Sequence, residues 1–208
     1  NRPWGSFTSE AHYEAARQIG TEGIVLLKNE PVKRQQPALL PIDPSRYEKI
    51  LVVGDNATRR LTEGGGSSEL KVKHEISPLQ GLVELYGDKI TYTQGYAAGR
   101  PRYGKVEQPR VDTDSLYRKA LELAADADLV VFVGGLNKNH EQDCEAGDRV
   151  QYSLPFGQDR LIPELAAINP NLVLVLVSGN AVEMKWVDEV PAIVQAWYLG
   201  SERSEERR

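Results

Sequence analysis

The chain is poor in the residues that form disulfides, bind metals or hold polyanions. Its 208 residues include one cysteine, Cys144, and three histidines. A single cysteine excludes an internal disulfide and says little about compartment. The histidines make no zinc pattern: there is no H-E-x-x-H, and His140 has no second His or Cys near it. His12 and His74 stand alone and read as solvated or capping residues. A surplus of basic charge is also missing, since 25 basic and 30 acidic residues leave a formal net charge of −5. Phosphate backbones and anionic membranes are engaged through basic surfaces, so neither a nucleic-acid nor a membrane partner is expected. No apolar run reaches the length of a membrane span. The first residues lack a signal-peptide pattern, as a mature or excised segment of an exported protein would. No G-x-G-x-x-G or Walker A lysine motif occurs, so a nucleotide's phosphate cradle is absent. No cofactor is expected.

What is present is a core-forming pattern. Hydrophobic residues make up 40% of the chain and charged residues 26%, ordinary values for a soluble protein of this size. Strand-like runs occur at Gly23–Asn29, Lys49–Asn56, Lys89–Thr93, Asp128–Val133, Asn171–Val177 and Pro191–Tyr198. Several are continuous Val/Leu/Ile runs without alternation, which suits strands covered on both faces. Helices are expected from Ser9 to about Glu22, and from Ser77, with Pro78 at its first position, to near Gly87. Two more run from an Asp112 or Thr113 cap through Ala124, and from about Phe156 to Ile168. Strands alternating with helices predict one α/β domain. It is a mostly parallel, doubly wound sheet with helices on both faces, a three-layer α/β/α sandwich. The expected organisation is an arm at 1–8, a single domain at 9–200 and a polar tail at 201–208. Gly23–Asn29 reads as a buried strand.

Ligands of such sheets bind outside the carboxyl ends of the strands. Three strand ends look alike: Gly54-Asp55-Asn56, the loop from Gly134, and Ser178-Gly179-Asn180. The second is the most unusual stretch of the chain. Between Gly134 and Arg149 lie Glu141, Asp143, Glu145 and Asp148 with His140, Cys144 and Arg149. So polar a segment is not expected to help bury a core, and long loops on a rigid sheet are where chemistry tends to sit. Three readings stay open on pattern: a solvated excursion, a calcium site from Asp143, Glu145 and Asp148, or paired-carboxylate chemistry. Glycoside hydrolysis needs one carboxyl group as acid and base and another as nucleophile. The glycine-serine stretch Gly64-Gly-Gly-Ser-Ser68 is either a flexible connector or a loop whose backbone approaches a ligand closely. Gly65, Ser67 and Ser68 are its candidate substrate contacts.

Six ordered segments resemble the C-terminal α/β-sandwich domain of glycoside hydrolase family 3, the β-glucosidase and β-xylosidase family. They are Ala15–Asn29; Leu39-Leu-Pro-Ile42 with Lys49–Ala57; Gly64–Ser68 with Ser77–Leu82; Ala125–Leu136; Glu145-Ala-Gly-Asp-Arg149 with Leu154-Pro-Phe-Gly-Gln158; and Val177-Ser-Gly-Asn180 with Trp186 and Pro191–Tyr198.

The resemblance implies that the domain packs beside an N-terminal (β/α)8 barrel and completes its active site. The barrel supplies an aspartate nucleophile, and a loop of this domain supplies the general acid/base. The position matching the Glu-x-x-Asp-Arg motif is Glu145, with Glu141 and Asp143 as competitors. Asp148 and Arg149 would fix the loop by an ion pair or touch the sugar. The implied substrate is a carbohydrate, a β-glucoside or oligosaccharide, and the implied location of the parent enzyme is periplasmic or secreted. No barrel is encoded here, so the nucleophile is missing, and hydrolysis needs both carboxyl groups roughly 5 Å apart. The chain is therefore expected to be inactive alone, with Trp4, Phe7 and Tyr96 on an exposed barrel-facing surface. Its end at Arg203–Arg208 departs from the family pattern and reads as truncated or engineered. The alternative is an excised, non-catalytic domain that binds carbohydrate weakly or serves as a scaffold.

Overall fold

The computed structural model describes residues 5, 9–62, 67, 72, 75–99, 104–105, 108–139, 141–198 and 200. Trp4, Phe7, Gly65, Ser68, His74, His140 and the tail from 201 lie outside the described residues.

Among the described residues the elements run α1 (Glu10–Gly23), β1 (Val25–Asn29), β2 (Ile50–Val53), α2 (Pro78–Tyr86), β3 (Ile90–Thr93) and α3 (Thr113–Asp126). Then come β4 (Leu129–Gly135), the short pair β5 (Asp143–Cys144) and β6 (Gly147–Asp148), α4 (Gln158–Ile168), β7 (Leu172–Val177) and β8 (Ala192–Gln195). The helix starts follow their caps. The side-chain oxygens of Ser77 and Asp112 accept hydrogen bonds from the amides of Gln80 and Ser115 at 3.2 and 3.0 Å. At the head of α1, the Ser9 hydroxyl meets His12 Nδ1 at 2.7 Å, which makes His12 a capping residue.

Six strands form one sheet in the order β1-β8-β7-β4-β2-β3. All neighbours are parallel except β1, which runs antiparallel to β8. The chain steps outward from β2 to β3, then reverses past β2 to β4 and on to β7 and β8. Right-handed crossovers in opposite directions place their helices on opposite faces. Leu51, Val53, Val130, Phe132, Leu172 and Leu174 accordingly face one core, where Leu161, Ile162 and Leu165 of α4 and Ala120 and Ala124 of α3 pack. Ile50, Val52, Leu129, Val131, Val133 and Val173 face the other, against Leu79 and Leu82 of α2. Both faces are covered, which is why these strands read as unbroken apolar runs.

The expected burial of Gly23–Asn29 is corrected. β1 is an edge strand, and Val25, Leu26 and Leu27 are 42%, 56% and 47% exposed. An apolar run marks a strand but does not tell a central position from an edge. Beside β1 a cavity of about 410 Å³ opens over the floor of β4, β7 and β8, lined by Leu26, Leu82, Val131, Val175, Val194 and Ala196. Among the described residues its lining carries no carboxylate.

Candidate functional site: the loop over the carboxyl edge

The loop after β4 is a built structure rather than a solvated excursion. Leu136, Asn137, Asn139, Gln142 and Cys144 are all buried, contrary to the expectation that so polar a segment stays outside. The reason is internal hydrogen bonding. Gln142 Oε1 accepts from the Asn137 amide at 3.0 Å, and the Gln142 amide donates to the Asn139 carbonyl at 3.0 Å. The polar groups paired in this way lose little on leaving water, while Asn139 Oδ1 is buried with no hydrogen-bond partner among the described residues.

The loop is fastened at its root by α4. Gln158 is fully buried, accepts from the Gly135 amide at 2.7 Å and donates back to the Gly135 carbonyl at 2.9 Å. The Leu154-Pro-Phe-Gly-Gln158 segment therefore returns the chain to the loop's starting point. Gly135 itself needs to be glycine: its φ is +117°, and an added Cβ would sit 2.0 Å from the Val177 carbonyl oxygen.

From beneath, the end of β2 props the loop. Asn56 Nδ2 donates to the Leu136 carbonyl at 3.0 Å. Asp55 pairs with Arg59, which also reaches the carbonyls of Ala98 and Gly99, and Gln94 donates to Asp55. The crevice where strand order reverses is thus filled by a buried polar network. Of the three similar strand ends, Gly54-Asp55-Asn56 is internal. Tyr96 lies here too and is 3% exposed, which corrects its assignment to an exposed surface; it packs on Phe132 with ring centroids 5.9 Å apart. Burial pushes its hydroxyl well above the usual tyrosine range.

The catalytic candidates sit on the short hairpin of β5 and β6. Asp143 pairs with Asp148 and Cys144 with Gly147, leaving Glu145 and Ala146 as the two-residue tip, with Ala146 at φ 54°. Glu145 is exposed, and its Oε2 accepts from the Ser67 amide at 2.6 Å. The sequence candidates Glu145 and Ser67 are thereby brought together across 78 residues. The Ser67 side chain and amide both hold the Glu145 carboxyl below the usual glutamate range. Glu75 closes the base of the segment that carries Ser67, accepting from the amides of Leu61 and Thr62 at 2.7 and 3.2 Å.

Asp143 is engaged differently. Its carboxylate accepts from the Gly179 amide at 2.7 Å, from the Tyr198 hydroxyl at 2.9 Å and from Asn180 Nδ2. Arg149 makes no ion pair with Asp148 among the described residues. Its guanidinium instead donates to Asn180 Oδ1 and the Ala181 carbonyl, both at 2.6 Å, and to the Gln151 carbonyl. The five-donor fork of arginine is well suited to collecting several such acceptors at once. Asp148 and Glu141 are exposed, and Glu141 takes φ 63°. Among the described residues no three His, Cys, Asp or Glu side chains gather as a metal would require, so the calcium reading finds no support.

Sequence reasoning weighed Asp143 as a competing acid and overlooked its partners Gly179, Asn180 and Tyr198. The signal was partly visible: Ser178-Gly179-Asn180 was one of the three strand ends, but nothing local linked it to position 143. The Asp55–Arg59 pair left no such signal, since Lys49–Asn56 reads as a strand and the pair forms across a short turn at Asp55–Ala57.

Fold and site together define an α/β/α domain that carries a fastened, carboxylate-bearing loop at the carboxyl edge of its sheet. Residues 24–206 match the family described as glycosyl hydrolase family 3 C-terminal domain, and the chain belongs to that family. Beta-glucosidase BoGH3A of Bacteroides ovatus is 60% identical over 201 residues, covering 96% of this chain and 27% of that protein. Thermostable beta-glucosidase B of Acetivibrio thermocellus is 31% identical over 198 residues, covering 94% of this chain and 24% of that protein. A crystal structure of the Kluyveromyces marxianus beta-glucosidase in complex with glucose superposes with a TM-score of 0.80 over 95% of this chain and 40% of that one; at 20% identity it speaks for the fold alone. The chain spans about a quarter of the length of these two curated relatives. Among the described residues no helix is long and apolar enough to cross a membrane.

Proposed function

We propose that this chain is the acid/base half of a retaining β-glycosidase site, acting on terminal β-glucosyl groups, with the nucleophile supplied by a (β/α)8 barrel. One observation carries the reading. Of the four loop carboxylates, the one that matches the family motif, Glu145, stands at the hairpin tip and meets the glycine-serine loop through Ser67. Its competitor Asp143 already accepts three hydrogen bonds, from the Gly179 amide, Asn180 and Tyr198. The names of the relatives support a β-glucosidase.

In the assembled site the Glu145 carboxyl donates its proton to the glycosidic oxygen as the bond to the anomeric carbon breaks. The barrel aspartate forms the new bond to that carbon. The Glu145 carboxylate then takes a proton from water, which attacks the same carbon and releases the aspartate. The exposed, hydrogen-bonded Glu145 of this chain is held ionised, the wrong form for an acid. Burial by sugar and barrel disfavours the charged form and raises its pKa toward the working range. Asp148, beside the tip, and the segment around Gly65, Ser67 and Ser68 are the proposed sugar contacts, while Arg149 is assigned to holding the loop. The proposed setting of the parent enzyme is periplasmic or secreted.

The test is Glu145→Gln in the barrel-bearing enzyme. kcat/KM should fall about 10²- to 10⁴-fold for a phenyl glucoside, whose leaving group needs protonation, and little for a dinitrophenyl glucoside. Equal loss on both sinks the acid role.

The ionised state of Glu145 also favours a second reading, a non-catalytic domain that binds carbohydrate weakly or acts as a scaffold. The Glu145→Gln assay separates the two, because a non-catalytic domain leaves kcat/KM unchanged on both substrates; calorimetry of this chain with glucose and cello-oligosaccharides then tells a weak binder from a scaffold.

A further inference from the structure

We propose that Asp143 is a positioning residue for the acid/base, fixing through Asn180 and Tyr198 where the Glu145 carboxyl stands. The inference rests on the acid/base reading of Glu145. The hairpin that carries Glu145 has two residue pairs, Asp143 with Asp148 and Cys144 with Gly147. So small a ribbon is not stable by its own ladder, and its orientation must come from tethers outside it.

The tethers converge on the ends of β7 and β8. Before the tip, Asp143 takes the Gly179 amide, Asn180 Nδ2 and the Tyr198 hydroxyl. After the tip, Arg149 takes Asn180 Oδ1 and the Ala181 carbonyl. Asn180 therefore clasps both legs of the hairpin, one with each end of its amide. Lys138, earlier in the loop, lies 5.3 Å over the Tyr198 ring and closes the cluster from the other side. Packing is tight: a Cβ on Gly179 would meet Tyr198 Cε2 at 3.3 Å and Asp143 Oδ2 at 3.4 Å.

Glu145 is two residues from Asp143, a reach of roughly 7 Å along extended chain. Any tilt of the ribbon at Asp143 is therefore delivered to the acid with little loss. Asp143 itself takes three donors from the ends of β7 and β8 on its two oxygens. Its role is geometric, and errors of about 1 Å in a catalytic group can cost about 10²-fold in rate.

The experiment places Asp143→Ala, Asp143→Asn and Tyr198→Phe beside Glu145→Gln in the barrel-bearing enzyme. kcat/KM is measured on phenyl and dinitrophenyl glucosides, and folding is checked by thermal unfolding. Asp143→Ala should lose about 10²-fold on the phenyl substrate and far less on the dinitrophenyl one, with KM little changed. Asp143→Asn and Tyr198→Phe, which keep most of the packing, should show the same leaving-group bias at smaller amplitude. A merely structural role would lower both substrates together, and that result, or full activity in all three variants, overturns the proposal. If Glu145→Gln shows the bias and the Asp143 and Tyr198 variants do not, the positioning role alone fails. If Glu145→Gln lacks it, the acid/base reading has failed first.

Discussion

At the scale of single residues, the Glu145 carboxylate is set by what touches it. Two hydrogen bonds from Ser67 favour its ionised form and outweigh the smaller opposing effect of desolvation. A folded-state pKa below the unfolded one stabilises the fold above the ordinary glutamate value, and that contribution is lost as pH falls through the depressed pKa. Full exposure keeps the contribution small. The measurable consequence is the titration itself. In this chain Glu145 should titrate below the usual value of about 4.3, and Ser67→Ala should move it back up by removing the side-chain donor. Carboxyl-detected NMR titration reads both; an unchanged midpoint in Ser67→Ala would mean that the contact does not persist in solution. Glu145 was legible in the sequence only through the family motif, since four carboxylates in one loop look alike by charge. The hydrogen-bond partners of Asp143 were not legible, because its three donors arrive from positions 36, 37 and 55 residues away. Local sequence carries no record of such partners.

At the scale of elements, the parallel sheet was readable because double-sided burial writes unbroken apolar runs into β2, β4 and β7. Caps such as Ser77-Pro78 and Asp112 marked helix starts for an equally local reason. Edge position and strand direction are not local properties, and β1 was misjudged for that reason. The hairpin of β5 and β6 left no alternating pattern because each strand is two residues long. Glycines at the strand ends carry the sharpest element-scale prediction. Gly135→Ala puts a Cβ 2.0 Å from the Val177 carbonyl oxygen at a φ of +117°. The expected cost is more than about 2 kcal/mol, since neither the backbone conformation nor the neighbouring strand can yield cheaply. Urea unfolding checks it, and a loss within about 0.5 kcal/mol, typical of a surface change, would contradict the close approach of β4 and β7.

At the scale of the whole molecule, the sheet builds a rigid ledge and the loop puts one carboxyl group at its rim. A core packs on each face of the sheet, the ledge is braced by the Asp55–Arg59 network, and Gln158 locks the loop to its own root. Such a domain can present an acid with accuracy, yet retaining hydrolysis needs a second carboxyl group on the opposite side of the sugar. In the proposed function that role falls to the barrel. The most direct test of that division of labour is azide rescue of Glu145→Ala in the barrel-bearing enzyme, with a dinitrophenyl glucoside as substrate. Departure of dinitrophenolate needs no acid, so the glycosyl–aspartate intermediate forms and then waits for a nucleophile that needs no base. The account predicts that azide raises kcat well above that of the variant alone and yields β-glucosyl azide, the configuration of the substrate retained. Turnover that azide leaves unchanged, or an α-glucosyl azide product, would contradict it.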